Sequence, residues 1–109
     1  MTASHYAPDT LEHADAWRER SLCRPEALRA EDVDQDLWFA DKGDKEGRDK
    51  AISICWRCPV RIECREDTLA REGRTGPKYR HGIRAGLTEF QRYTEYRRRA
   101  KAAKEAEAA

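Results

Sequence analysis

The chain has 109 residues, 39% of them charged, with a formal net charge of +1. Leu, Ile, Val and Phe together number 14, about one residue in eight, so one small domain held by a staple is expected rather than a self-sufficient apolar core. No stretch approaches the ~20 apolar residues of a membrane span, and MTASHYAPDTLEHADAW has no secretory h-region, which makes a cytoplasmic protein with reduced thiols the expectation.

Residues 1–8 read as a loose leader ending at Pro8. Asp9 is a candidate cap for a helix over 10–21, marked by Leu11 and Trp17. Pro25 can open a short helical turn, PEALRA. The segment VDQDLWFA then gathers Leu37, Trp38 and Phe39 in a polar neighbourhood. Gly43 and Gly47 mark a charged loop, and a helix is expected from about 44–47 through Ile52 to about Cys55. Pro59 restarts the chain as a helix, PVRIECREDTLARE, with Cys58 as its cap and Val60, Cys64 and Thr68 on one face. GRTGPKYRHG is a loop by its glycines and proline. Thr88 and Gln91 have capping-box spacing and start the last helix, whose apolar side ends with Phe90, Tyr93 and Tyr96. Beyond about residue 97 an exposed or frayed arm is expected. The layout is a leader over 1–8, a domain over 9–92 and a basic helical arm over 93–109.

The four cysteines, Cys23, Cys55, Cys58 and Cys64, are spaced C-x31-C-x2-C-x5-C. Three fall inside ICWRCPVRIEC, where two are too close to close a useful disulfide loop. One four-thiolate site suits this spacing better than two disulfides. Soft thiolates select zinc or an iron–sulfur cluster. Zinc sites commonly use two short C-x-x-C-like pairs, and only one exists here, so the spacing leans towards a cluster and leaves zinc open. A [4Fe–4S] core on four thiolates carries a charge of about 2−. Arg24, Arg57, Arg61 and Arg65 lie beside the ligands in sequence, and Trp17, Trp38, Phe39 and Trp56 are candidate shields against water. A different use of Cys55-Trp56-Arg57-Cys58 is disulfide reduction by a thiol activated at a helix N-terminus. No βαβ pattern accompanies the motif, and Cys23 and Cys64 would then have no task.

From Trp17 to about Arg92 the pattern resembles the WhiB-like transcriptional regulators of actinobacteria and their phages. The resemblance is carried by Trp17 before Cys23 (W-x5-C), by the acidic run into Leu37-Trp38-Phe39, by CWRCPVRIEC with Pro59 and Val60, and by a glycine turn leading into Leu87-Thr88-Glu89. It implies a [4Fe–4S] cluster on Cys23, Cys55, Cys58 and Cys64. It implies an all-α domain of four to five helices organised around that cluster, with an exposed basic C-terminal helix. It further implies binding to the C-terminal region of a primary sigma factor in RNA polymerase, promoter contacts from the basic tail, and no enzymatic activity. The chain alone is expected to be a monomer. Trp17, Trp38, Phe39, Gly82, Ile83, Arg84 and Gly86 are the expected sigma contacts. In the family the turn usually reads Gly-Val/Ile-Trp-Gly-Gly, whereas here it is Gly82-Ile83-Arg84-Ala85-Gly86. A cation in place of the tryptophan suits an acidic or phosphate-bearing partner, or a different sigma surface.

Charge is divided along the chain. Residues 1–50 carry 13 acids and 8 bases, whereas residues 51–109 carry 8 acids and 14 bases. The basic end suits nucleic acid. Arg97, Arg98, Arg99, Lys101 and Lys104 are the candidate phosphate contacts, with Lys78, Arg80, Arg84 and Arg92 upstream. The competing reading is a solvated helix with i,i+4 pairs such as Glu95–Arg99 and Lys101–Glu105. No Gly-Arg-Pro hook for the minor groove is present, and His5, His13 and His81 are scattered as surface residues would be. Trp17, Trp38, Phe39 and Phe90 read most simply as core. No Ser/His/Asp or phosphate-loop pattern is visible.

Overall fold

The computed structural model describes residues 16–108. Among them are four α-helices and no strand: α1 (Pro25–Ala30), α2 (Lys45–Arg57), α3 (Arg61–Glu72) and α4 (Glu89–Ala108). Short 3-10 turns cover Ala16–Arg20, Gln35–Phe39 and Pro77–Tyr79. The all-helical class expected from the sequence is therefore the one observed. The helix expected over 10–21 lies partly outside the described residues, and its described part is the 3-10 turn Ala16–Arg20.

Local chemistry accounts for the helix starts. Pro25 stands at the first turn of α1, where no intrahelical donor is lost. The Asp44 carboxylate accepts from the Gly47 N–H at 2.9 Å and opens α2. At α4, Gln91 N–H donates to Thr88 Oγ1 at 3.2 Å while Thr88 N–H donates to Gln91 Oε1 at 2.9 Å, the reciprocal box expected from the sequence. The junction between α2 and α3 differs from expectation. Cys58 closes α2, its N–H donating to Cys55 O at 3.0 Å, and α3 starts only after Val60, without a side-chain cap. Pro59 thus sits in a tight turn before the helix, and Arg61 N–H reaches back to Cys58 O at 3.2 Å.

The apolar core is small. Leu28, Trp38, Ala51, Ile54 and Ile83 form its centre, which joins α1, the Gln35–Phe39 turn, α2 and the Gly82–Gly86 turn. Phe39 and Phe90, read from sequence as core, are 57% and 67% exposed. A second interior is ionic. Arg92, with no exposed surface, donates through Nε to Glu72 at 2.9 Å and through Nη1 to the carbonyls of Gly82 and Leu87. Buried Arg80 donates to the same Glu72 at 2.7 Å and to the carbonyls of Thr75 and Gly73. Read from sequence as possible phosphate contacts, Arg80 and Arg92 instead tie α3, the loop and α4 together. No buried side-chain nitrogen or oxygen among the described residues is left without a partner, so this polar interior satisfies the condition that makes burial of charge tolerable.

Candidate metal centre

Cys23 follows the first 3-10 turn, Cys55 and Cys58 end α2, and Cys64 lies in the first turns of α3. These four positions, spread over 42 residues of chain, line one cavity of about 230 Å³. That is several times the ~30 Å³ share of one water. No three His, Cys, Asp or Glu side chains among the described residues converge closely enough to hold a single metal ion. The four thiols line that cavity together, and soft thiolates select zinc or an iron–sulfur cluster.

Each ligand candidate has a definable environment. Burial pushes the Cys55 thiol up, opposed by the Trp38 indole N–H at 3.2 Å from Sγ and by the Gly86 backbone N–H. Burial also pushes Cys64 up, opposed by the Thr68 hydroxyl, 4.0 Å away. Thr68 is one turn on from Cys64, as the i+4 spacing predicts. A bound metal deprotonates its thiol ligands outright, and N–H donors aimed at sulfur are among the levers that set a cluster's potential. Cys23 is exposed and Cys58 half-buried.

Cationic groups rim the cavity. Arg24 and Arg61, expected from sequence, line it. Arg57 and Arg65 do not, and instead face Glu31 at 3.6 Å and Glu66 at 2.9 Å. Arg18 and Arg84 join the rim, a role that sequence proximity to the cysteines did not indicate for either. Arg61 also stacks on Trp56, 3.8 Å from the ring centre. This charge suits a dianionic occupant.

The Gly82–Gly86 turn closes one wall. Ile83 N–H donates to Trp38 O at 2.8 Å, and Arg84 and Leu87 exchange backbone hydrogen bonds across Ala85-Gly86. Ala85 and Gly86 have φ of 54° and 74°, the signs demanded at both centres of a type I′ turn. A Cβ on Gly86 would lie 2.7 Å from Trp56 Nε1. A Cβ on Gly82, whose φ is 74°, would lie 2.7 Å from Trp38 O. Both glycines are required by close approach as well as by backbone sign.

Of the expected partner contacts, the structure brings all seven to this side of the molecule but does not expose them equally. Trp38, Gly82, Ile83 and Gly86 are buried, with Trp38 and Ile83 in the core. Trp17 is half-buried on the cavity wall, with the Arg18 guanidinium 4.5 Å from its ring centre. Arg84 and Phe39 are exposed and share a groove. Trp56, 58% exposed on the other flank of the turn, was a candidate shield in sequence and stands instead at the surface.

The chain matches the family model described as transcription factor WhiB over residues 17–99. It belongs to the WhiB family. Two relatives described as Transcriptional regulator WhiB2, from Mycobacterium tuberculosis strains ATCC 25618 / H37Rv and CDC 1551 / Oshkosh, are each 35% identical to it over 81 residues, covering 74% of this chain and 74% of the relative. No solved structure gives a significant match. A WhiB-family chain is a transcriptional regulator, and the match spans all four cysteines, the glycine turn and the first half of α4. No helix among the described residues is long and apolar enough to cross a membrane.

Proposed function

We propose that this WhiB-family regulator holds a [4Fe–4S] cluster on Cys23, Cys55, Cys58 and Cys64, docks on the C-terminal region of a primary sigma factor, and holds promoter DNA through its basic arm. The observation that carries the cluster assignment is the single cavity lined by all four cysteines and rimmed by Arg24, Arg61 and Arg84. When bound, the cluster supplies a redox-active, oxygen- and nitric-oxide-sensitive link between two parts of the chain. The protein's own residues do the rest. Trp38 and Gly86 direct N–H groups at Cys55, and Val60 fills the floor of the cavity. Cys23 fastens the segment before α1 to α2 and α3. Release of the cysteines by oxygen or nitric oxide would detach that segment and so alter the face offered to sigma.

Sigma docking is supported by what the glycine turn leaves outside. Phe39 and Trp56, both more than half exposed, flank Arg84 and the turn. Aromatic and arginine side chains are the usual anchors of protein interfaces. The arm carries Arg97, Arg98, Arg99, Lys101 and Lys104 on a helix that continues to Ala108, and cations so placed suit phosphate.

The disulfide-reductase alternative is weakened by geometry. Cys55 and Cys58 lie at the C-terminal end of α2, where the helix field opposes a thiolate instead of stabilising it. Anaerobic purification followed by visible absorbance and iron, sulfide and zinc analysis tests the assignment. Iron and sulfide in equal amounts are expected. Stoichiometric zinc without sulfide would replace the cluster by a structural zinc module.

A further inference from the structure

The cations of the C-terminal helix fall into two sets once their partners are placed. Arg99 donates to both Glu66 oxygens, at 2.7 and 2.9 Å, and to Glu95 at 2.6 Å. Arg98 donates twice to Glu95, at 3.0 and 2.6 Å. Carboxylates thus already engage both arginines, and Arg99 fastens α4 to α3. Arg97, Lys101 and Lys104 have no ion pair among the described residues, and the Lys101–Glu105 pair that the spacing allows is not formed.

The unpaired cations share a face. Phe90, Arg97, Lys101 and Lys104 follow each other at seven-, four- and three-residue intervals, which keeps them on one stripe of a helix. They line an open groove of about 880 Å³ together with Tyr93 and Arg74, which comes from the loop after α3. Arg98 reaches its edge, already engaged by Glu95. No carboxylate lines the groove. Arg74, Arg97, Lys101 and Lys104 are all exposed, and Arg97 lies 5.8 Å from the Tyr93 ring centre. From Arg97 to Lys104 the helix rises roughly 10 Å, about three base pairs of duplex.

We propose that this stripe, Arg74 with Arg97, Lys101 and Lys104, is the phosphate-binding face for duplex DNA, and that Arg98 and Arg99 are positioning residues that fix the helix against α3. The proposal rests on the DNA-binding reading above and assigns it to one face. An arginine that must first give up a carboxylate gains less from a phosphate than one that has none to lose. A cation with no partner releases the phosphate's counterions at no such cost.

The test uses the full chain, purified anaerobically, and a short duplex of mixed sequence titrated over a range of salt. All four stripe residues are exposed, so their glutamine variants should fold, and far-UV circular dichroism checks this. Arg74→Gln, Arg97→Gln, Lys101→Gln and Lys104→Gln combined should flatten the log K against log salt slope by about 3.6. Arg98→Gln with Arg99→Gln should leave that slope within about one unit while lowering the melting temperature. The reverse pattern would overturn the assignment of faces. Wild type that binds no duplex would overturn the DNA-binding reading itself. Tighter binding of the single strand, lost in Tyr93→Ala, would replace duplex by unpaired nucleic acid.

Discussion

Ala85 is the residue at which this sequence strains its own turn. It stands at φ 54° with only 2% of its surface exposed, in a position where glycine or asparagine is the usual choice. A left-handed L-residue costs roughly 1–2 kcal/mol. Substitution by glycine removes that cost, but it loses about 0.8 kcal/mol of buried methyl and roughly 0.5–1 kcal/mol of chain entropy. These terms offset, so Ala85→Gly should melt within a few degrees of wild type. Ala85→Val adds a β-branch at the same φ, and Gly86→Ala drives a Cβ into the Trp56 indole. Each should lose about 2 kcal/mol or more. Thermal melts of the three variants side by side settle it, and an unchanged melt for Ala85→Val would mean that the turn relaxes freely. The neighbouring Arg84 offers a different experiment. Restoring the family's tryptophan with Arg84→Trp should tighten binding to the C-terminal domain of a primary sigma factor by roughly 30-fold, the equivalent of about 2 kcal/mol from an interface anchor. Co-purification of the two forms is the readout. Weaker binding by the variant would make Arg84 itself the working contact. At this scale the gathering of the four cysteines at one cavity was legible, because thiols have few other uses in such a spacing. The exposure of Phe39 and Phe90 was not, because a short turn or a helix start does not reveal from its composition which side faces the solvent.

Among the elements, α3 and α4 are joined by charge in two places of different character. At the buried end, Glu72 takes Arg80 and Arg92. At the exposed end, Glu66 and Glu95 take Arg99. Arg99 and Arg65 hold the Glu66 carboxyl down at about 2, and Arg98 and Arg99 do the same for Glu95. A carboxylate whose folded pKa is depressed contributes stability that is present above its ordinary value, 4.5, and is lost as pH falls towards 2. Both groups are largely solvated, so the contribution is screened and small. The anchoring of α4 should therefore be flat from neutrality to about pH 5 and weaken between 4.5 and 2. Glu66→Gln should abolish part of that dependence, as read from melting temperature against pH, and high salt should mimic it. A pH profile identical in Glu66→Gln would remove the contact from the solution structure. The start of α4 was legible, since Thr88 and Gln91 cap it through local bonds. Its hold on the domain was not: Arg99 meets Glu66 across 33 residues, and no local pattern encodes such a pairing. The same distinction explains Cys58. Proline in the first turn was a sound signal for a helix, but closure of α2 by the Cys58 N–H competes for the residue and delays the start of α3.

The whole molecule holds together with few apolar side chains, and two of its large buried groups are arginines. Arg92 spans three elements, bonding to Glu72 on α3 and to the carbonyls of His81, Gly82 and Leu87. Lysine keeps the charge but not the planar fork that meets these acceptors. Arg92→Lys should cost about 3 kcal/mol, as expected when a buried pair is broken, and denaturant unfolding would measure it. The proposed cluster would be the other tie, joining the segment before α1 to α2 and α3 through the four cysteines that line one cavity. In a core this thin, binding at that cavity and folding draw on one free energy. Replacing any one of Cys23, Cys55, Cys58 or Cys64 by serine should therefore remove the visible chromophore and lower helical circular dichroism together. The four substitutions need not be equal in their apo consequences. Cys55 sits half-buried against Trp38 and the core, so its serine sets a hydroxyl against apolar neighbours, whereas Cys23 is exposed and its loss acts only through the centre. Parallel visible and far-UV spectra of the four variants distinguish these contributions. Full occupancy of the centre in two or more of them would overturn the four-ligand assignment.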